Sequence, residues 1–234
     1  MKTKEKLNKK SKEIKKAHGY DGMLIVVEGT DGSGKSTQVN MLSQFIKDKS
    51  YGCTVSEWKT SRLISGVINE AKEKNMLNTT TYSLLYAADY TDRLENEIIP
   101  ALKAGFVVLM DRYIYTAYVR DSVRGHDINW VKNLYGFAPK PDLVFYLNVP
   151  TEILIKRLIA KNGVLDYFAS GRDIGLSTDI YSSFEIYQKR CLEEYKKLKK
   201  EYNFIELDGT KSKEELHEKI KTKVQELLDK GFVQ

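Results

Sequence analysis

The segment Gly29-Thr30-Asp31-Gly32-Ser33-Gly34-Lys35-Ser36 places Gly29 and Gly34 with four residues between them, the second followed by a lysine and a hydroxyl. Such spacing suits one kind of chemistry. Glycines let the backbone curl until successive N–H groups converge on an anion. A helix that starts there adds partial positive charge. Lys35 can then reach the outer phosphates of a nucleotide, and the Ser36 hydroxyl can ligate Mg²⁺. On this reading Gly29, Asp31, Gly32, Ser33, Gly34, Lys35, Ser36 and Thr37 hold the phosphate groups.

A second pair of residues belongs with that loop. Asp111 and Arg112 end the apolar run Phe106-Val107-Val108-Leu109-Met110. The carboxylate of Asp111 can join Ser36 in holding Mg²⁺, which neutralises charge during phosphoryl transfer. The guanidinium of Arg112 can grip an anion through two parallel hydrogen bonds. Transfer of a phosphoryl group needs several cations around one point. Lys35 and Arg112 supply two, and Arg157, Lys161 and Arg172 are further candidates near an irregular stretch. Lys161 reads better as a surface charge, so the catalytic set is Lys35, Asp111, Arg112, Arg157 and Arg172. Tyr82 and Tyr86, with Tyr90 close to the same line, form a helical stripe. Such a stripe packs a core, or, facing a site, stacks on a nucleobase for about 1–3 kcal/mol.

These residues need a frame. Met23–Val27 reads as a buried strand, and Val39, Leu42 and Ile46 recur at helical spacing after the loop. Strands follow near Cys53–Trp58, 106–110, 142–149 and 204–207. Between them helices are expected over 36–48, from Arg62 to about Lys74, over 81–104 with Pro100 bending the end, over 114–137 with a break near Gly125, and over 151–160, 178–201 and 212–229. Thr79 or Thr80 is the expected N-cap of the third helix. Strands separated by helices mean an α/β protein. The expected fold is the three-layer P-loop NTPase fold: a five-stranded parallel sheet with helices on both faces and a lid over about 161–176. Ligands in such sheets sit at the carboxyl ends of the strands. That rule gathers loop 29–36, segment 57–62 and Asp111-Arg112 on one rim.

Composition narrows the class. The 234 residues are 41% hydrophobic and 30% charged, enough for a core and a soluble surface. No apolar run approaches the roughly 20 residues that cross a bilayer. The N-terminus lacks the long apolar stretch of a secretory leader. Two separate cysteines, Cys53 and Cys191, fit a reducing, cytoplasmic compartment better than a disulfide framework. Residues 1–20 hold eight lysines against Glu5 and Glu13, which accounts for the whole net charge of +6. They form a basic extension that reads as a solvated segment rather than a nucleic-acid arm. Residues 21–234 read as one domain, with no composition break.

In four blocks the chain resembles the thymidylate kinases, a family of P-loop nucleoside monophosphate kinases. Glu28 to Thr37 is similar to the family's phosphate loop, including an acidic residue at Asp31. Leu84-Leu85-Tyr86-Ala87-Ala88-Asp89 resembles its base-stacking helix, and Val107 to Tyr113 its Asp-Arg-Tyr block. Pro141 to Pro150, with Arg157 downstream, is similar to the block before its lid. The likeness spans about residues 23–210. It implies transfer of the γ-phosphate of ATP to dTMP with Mg²⁺, in a homodimer.

Carried across, the resemblance implies that Asp31 meets the acceptor sugar, Arg112 holds the acceptor phosphate and Tyr86 stacks on the base. Gly32 stands where some members carry a basic residue, which shifts attention to cations of the lid. The acceptor half departs from the pattern. The family's phosphate-binding arginine after the second strand is absent or moved to Lys59 or Arg62. Its base-reading arginine is Tyr90 here, with Arg93 one turn on. The residue that reads the pyrimidine edge is Asp121, which can only accept when ionised. Thr116 and Arg120 complete the expected acceptor set. Two other readings stay open: a kinase of the same fold for another nucleotide, and a nucleotide-binding regulatory protein without acceptor chemistry.

Overall fold

The computed structural model describes residues 18–231. The basic extension read over residues 1–20 therefore lies outside the described residues up to position 17. Five parallel strands form one sheet: β1 (Met23–Glu28), β2 (Cys53–Glu57), β3 (Val107–Asp111), β4 (Leu143–Asn148) and β5 (Ile205–Asp208), in the order β2-β3-β1-β4-β5. β1 is central, pairing Met23 with Val107 on one side and Ile25 with Leu143 on the other.

Alternation along the strands builds two cores. Leu24 and Val26 of β1, Val108 and Met110 of β3, and Val144 and Tyr146 of β4 point to one face. Met23, Ile25 and Val27, with Val107, Leu109, Phe145 and Leu147, point to the other. Helices α1 (Lys35–Asp48) and α9 (Lys213–Gly231) cover the second face through Val39, Leu42, Ile46, Leu216, Ile220 and Val224. The first face is covered by α3 (Thr79–Arg93), α5 (Ile114–Val123) and α8 (Ile180–Tyr202), with α6 (Ile128–Leu134) behind. Strands buried on both sides read as unbroken apolar runs, which is why β1 and β3 stand out in the sequence. The expected α/β fold with helices on both faces is the one found.

Local chemistry shifted some boundaries. Helix α2 (Ser65–Glu73) begins later than the sequence predicts. The Ser61 hydroxyl accepts from the backbone N–H of Leu63 at 3.1 Å and of Ile64 at 3.0 Å, holding the chain in a turn first. Asn78, not Thr79 or Thr80, stands at the N-cap of α3. After α3 comes a π-turn over Leu94–Ile98, then α4 (Ile99–Lys103) with Pro100 in its first turn. Proline has no N–H for the carbonyl four residues back, and the wider turn relieves that conflict. Helix α7 (Thr151–Asn162) ends at Gly163 in the left-handed conformation. The expected irregular lid follows, with one 3₁₀ turn at Arg172–Ile174.

Candidate active site

The carboxyl ends of β1, β2 and β3 open into one cavity of about 630 Å³. Its floor is the glycine loop. Gly32 and Gly34 take positive φ values of 82° and 97°, which a side chain strongly disfavours. A Cβ on Gly32 would also press on Leu158 of α7 at 3.0 Å. Thus the loop passes under α7 only as glycine. Lys35 donates to the carbonyl of Thr30 at 2.8 Å, which keeps its ammonium over the loop. Burial, reinforced by the charge of Arg112, brings this ammonium down to about 8, against the pull of Asp111, Asp31 and Glu28.

Ser36 donates to a carboxylate oxygen of Asp111 at 2.5 Å. One oxygen comes from the start of α1 and the other from the end of β3. Hard oxygen donors few in number suit Mg²⁺, which keeps much of its shell as water and substrate phosphate. Among the described residues no cluster of three or more His, Cys, Asp or Glu offers an all-protein cage. The pair therefore fits the ion that the sequence implied.

Asp31 is the electrostatic centre. Arg112 donates to one of its oxygens and Arg120 to the other, the latter at 2.6 Å. Burial alone would raise this carboxyl. Arg112 and Arg120, with Lys35 and Lys72 behind them, instead hold it far below the ordinary range. Arg112 also donates to the Gly29 carbonyl at 3.0 Å, so it spans the loop from β1 to β3. It does this with φ of 74°, an uncommon backbone state for a residue with a Cβ.

Beneath lies Glu28, wholly buried. It accepts from the N–H groups of Tyr113 at 2.8 Å and Thr116 at 3.1 Å, from the Thr116 hydroxyl at 2.6 Å and from Tyr195 at 2.8 Å. Burial raises its carboxyl despite those donors. Glu28 thereby holds the start of α5, and with it Arg112 and Arg120, at a fixed height above β1. Thr116 acts at this level, below the cavity, rather than on its wall.

The opposite wall is aromatic. Tyr82 and Tyr86 stack with centroids 4.4 Å apart, Trp58 lies 5.0 Å from Tyr86, and Phe168 of the lid lies 5.6 Å from Tyr82. Lys59 and Lys72 stand beside these rings, and Arg157 and Lys161 of α7 line the far side. Arg157 donates to the Gly209 carbonyl at 2.9 Å, beyond the end of β5. A phosphate cradle, a cationic centre and a flat aromatic slot in one space can hold two nucleotides head to head.

Comparison with known proteins agrees. Residues 27–220 match the family model described as thymidylate kinase. A "Probable thymidylate kinase 2" of Saccharolobus solfataricus is 43% identical over 212 residues, covering 90% of this chain and 99% of that protein. A "Thymidylate kinase" of Thermosipho africanus is 34% identical over 213 residues, covering 88% of this chain and 99% of its own. The chain belongs to the thymidylate kinase family. It is thus a phosphotransferase. The likeness first read from four blocks of sequence extends over most of the chain.

Within this thymidylate kinase family member, several expected acceptor residues do not reach the cavity. Arg93 is fully buried, donating to Asp89 at 3.0 Å and to Ser56 at 2.9 Å. Asp89 in turn accepts from the backbone N–H of Lys59 at 3.1 Å and Ser61 at 3.0 Å, so this ion pair shapes the loop after β2 instead of reading a base. Tyr90 is also fully buried, its hydroxyl 3.0 Å from that of Tyr113. Asp121 lies on the inner side of α5, and one of its carboxylate oxygens has no partner. Arg62 is exposed on the turn before α2. Arg172 donates to the carbonyl of Ser177 within its own loop and is not on the cavity wall.

Other wall residues were not singled out as site residues. Trp58 follows the end of β2, where the strand-end rule could have found it. Lys72 stands four residues after buried Ile68, an inward position on α2. Lys211 and Lys213, beyond β5, also line the cavity and follow the strand-end rule. Phe168 carried no spacing signal, because the lid is irregular.

Proposed function

We propose that the protein transfers the γ-phosphate of ATP to dTMP, giving ADP and dTDP. The observation that carries this reading is the Arg112–Asp31–Arg120 centre, set between the phosphate loop and the aromatic slot within one cavity. ATP phosphates would lie on the loop amides and Lys35. The acceptor base would enter between Tyr86 and its aromatic neighbours, with its phosphate toward Arg112 and its sugar toward Asp31. When bound, Mg²⁺ at Ser36 and Asp111 would offset the charge of the donor phosphates. Arg157 would bring its guanidinium from α7 toward the migrating group. Catalysis on this account is positioning and charge stabilisation, with no covalent step on the protein.

We also infer a homodimer. Leu63 and Val67 near and on α2, and Leu84 on α3, are large apolar side chains left exposed. Apolar surface gathered into one exposed patch favours a partner. Light scattering on the purified protein tests this, and a monomer at micromolar concentration would reject it. No helix among the described residues is long and apolar enough to cross a membrane, and the free thiols of Cys53 and Cys191 suit a reducing cytoplasm.

The decisive experiment is ATP consumption with dTMP, dUMP, dCMP, dGMP and UMP in parallel. Turnover highest with dTMP supports the proposal. Turnover with none, alongside tight ATP binding, rejects it.

A further inference from the structure

The cavity wall carries more lysines and arginines than carboxylates, the latter being Asp31, Glu57, Asp111 and Asp166. Arg112 and Arg120 are both committed to Asp31. The Lys59 ammonium donates to Asn69 at 3.4 Å. Lys72 is different. Its partner is Asp166, 3.4 Å away, on the lid rather than on the frame, and that carboxylate is half-exposed. The Lys72 ammonium also lies 5.2 Å over the ring of the lid's Phe168. An ion pair this long, with its carboxylate half-exposed on an irregular segment, is worth little and exchanges readily.

A phosphomonoester carries close to two negative charges near neutral pH. Burial and the nearby Lys72 together lower the Lys59 ammonium from its ordinary value, so the two cations feel each other. Lys72 also acts on Asp31 from across the cavity. An anion between these groups would relieve the repulsion.

We propose that Lys72 binds the phosphate of the acceptor nucleotide, and that Asp166 occupies that ammonium until the acceptor arrives. This assignment rests on the nucleotide-acceptor reading given above. It adds, from α2, a phosphate-binding cation beside Lys59, one of the two expected candidates, which lines the cavity, whereas Arg62, the other, is exposed on the turn before α2. It also links acceptor binding to the lid, because the phosphate and Asp166 compete for one ammonium.

Calorimetric titration with dTMP, thymidine and ATP tests it, using wild type, Lys72→Gln, Lys72→Arg and Asp166→Asn. Thymidine shares the base and sugar but lacks the charge. Lys72→Gln is expected to weaken dTMP about tenfold or more, with thymidine and ATP changed by less than about twofold. Lys72→Arg is expected to recover most of the loss. Asp166→Asn is expected to tighten dTMP. If Lys72→Gln weakens thymidine as much as dTMP, or leaves dTMP unchanged in a wild type that binds it, the assignment falls and the kinase reading stands. If Asp166→Asn weakens dTMP as Lys72→Gln does, the pair is a structural brace and the assignment also falls. A wild type that binds no nucleoside monophosphate overturns both readings.

Discussion

Arg120 donates at 2.6 Å to the oxygen of Asp31 that Arg112 leaves free. One carboxylate thus orders two guanidiniums from one face of α5 and the turn before it. The two arginines differ in support. Arg112 is locked by the Gly29 carbonyl at 3.0 Å, whereas Arg120 has Tyr82 as its other side-chain neighbour, at 3.4 Å. Arg112 is therefore tied to the donor loop and Arg120 to the aromatic slot. Arg112→Ala is expected to lower kcat about a hundredfold or more. Arg120→Ala is expected to raise KM for dTMP about tenfold with KM for ATP nearly unchanged. Steady-state kinetics separate the two, and equal effects on both substrates would refute the division.

Lys35 gives a pH dependence. Its ammonium comes down to about 8 in the free protein, and only the charged form attracts phosphate. A lowered lysine loses its proton as pH rises through that value. ATP affinity is therefore expected to fall between pH 7 and pH 9, measured by titration at constant ionic strength. Lys35→Arg, whose charge does not titrate there, is expected to flatten the profile even if affinity is lower throughout.

Asp121 is buried and off the cavity wall, so its expected effect is on stability. Burial pushes its carboxyl up to about 6, against a hydrogen bond from Ser83 and the charges of Arg124, His126 and Arg120. A raised acid binds its proton more tightly when folded, so stability is greatest below the unfolded value and declines as pH rises through the folded one. Keeping it ionised at pH 7 costs on the order of 2–3 kcal/mol. Asp121→Asn is expected to raise the thermal midpoint at pH 7 and to reduce the loss of stability between pH 4 and pH 7. The acceptor profile should not move. A changed base preference in this variant would restore the role expected from sequence.

The two lid-side cations are distinguishable in the same way. Arg157 reaches the cavity from α7, while Arg172 is turned into its own loop. Arg157→Ala is expected to cut kcat about tenfold or more, and Arg172→Ala by less than about twofold. Pre-steady-state rates with saturating ATP and dTMP provide the test. A larger loss at Arg172 would mean that the lid rearranges enough to exchange the two.

Much of this protein could be read without coordinates, and the reason is that the readable parts are local. The glycine loop is specified by residues adjacent in sequence, because only glycines tolerate its positive φ values. β1 and β3 are apolar runs because both faces are buried, and their ends place Ser36 and Asp111 together under the general rule for parallel sheets. The family resemblance also lay in contiguous blocks. Which side chains face the acceptor is decided elsewhere. Tyr86 and Tyr90 lie one turn apart on α3, yet one lines the cavity and the other packs against Tyr113 and Tyr135. Arg120 and Asp121 are neighbours in sequence, yet the helix turns one to Asp31 and the other inward. Those outcomes depend on the rotation of α3 and α5, set by packing and by the buried Glu28 and Asp89 carboxylates. Lys72 and Asp166 meet only because α2 and the lid close over the same cavity. No sequence period encodes a contact between elements so far apart in the chain, and there the tertiary structure decides.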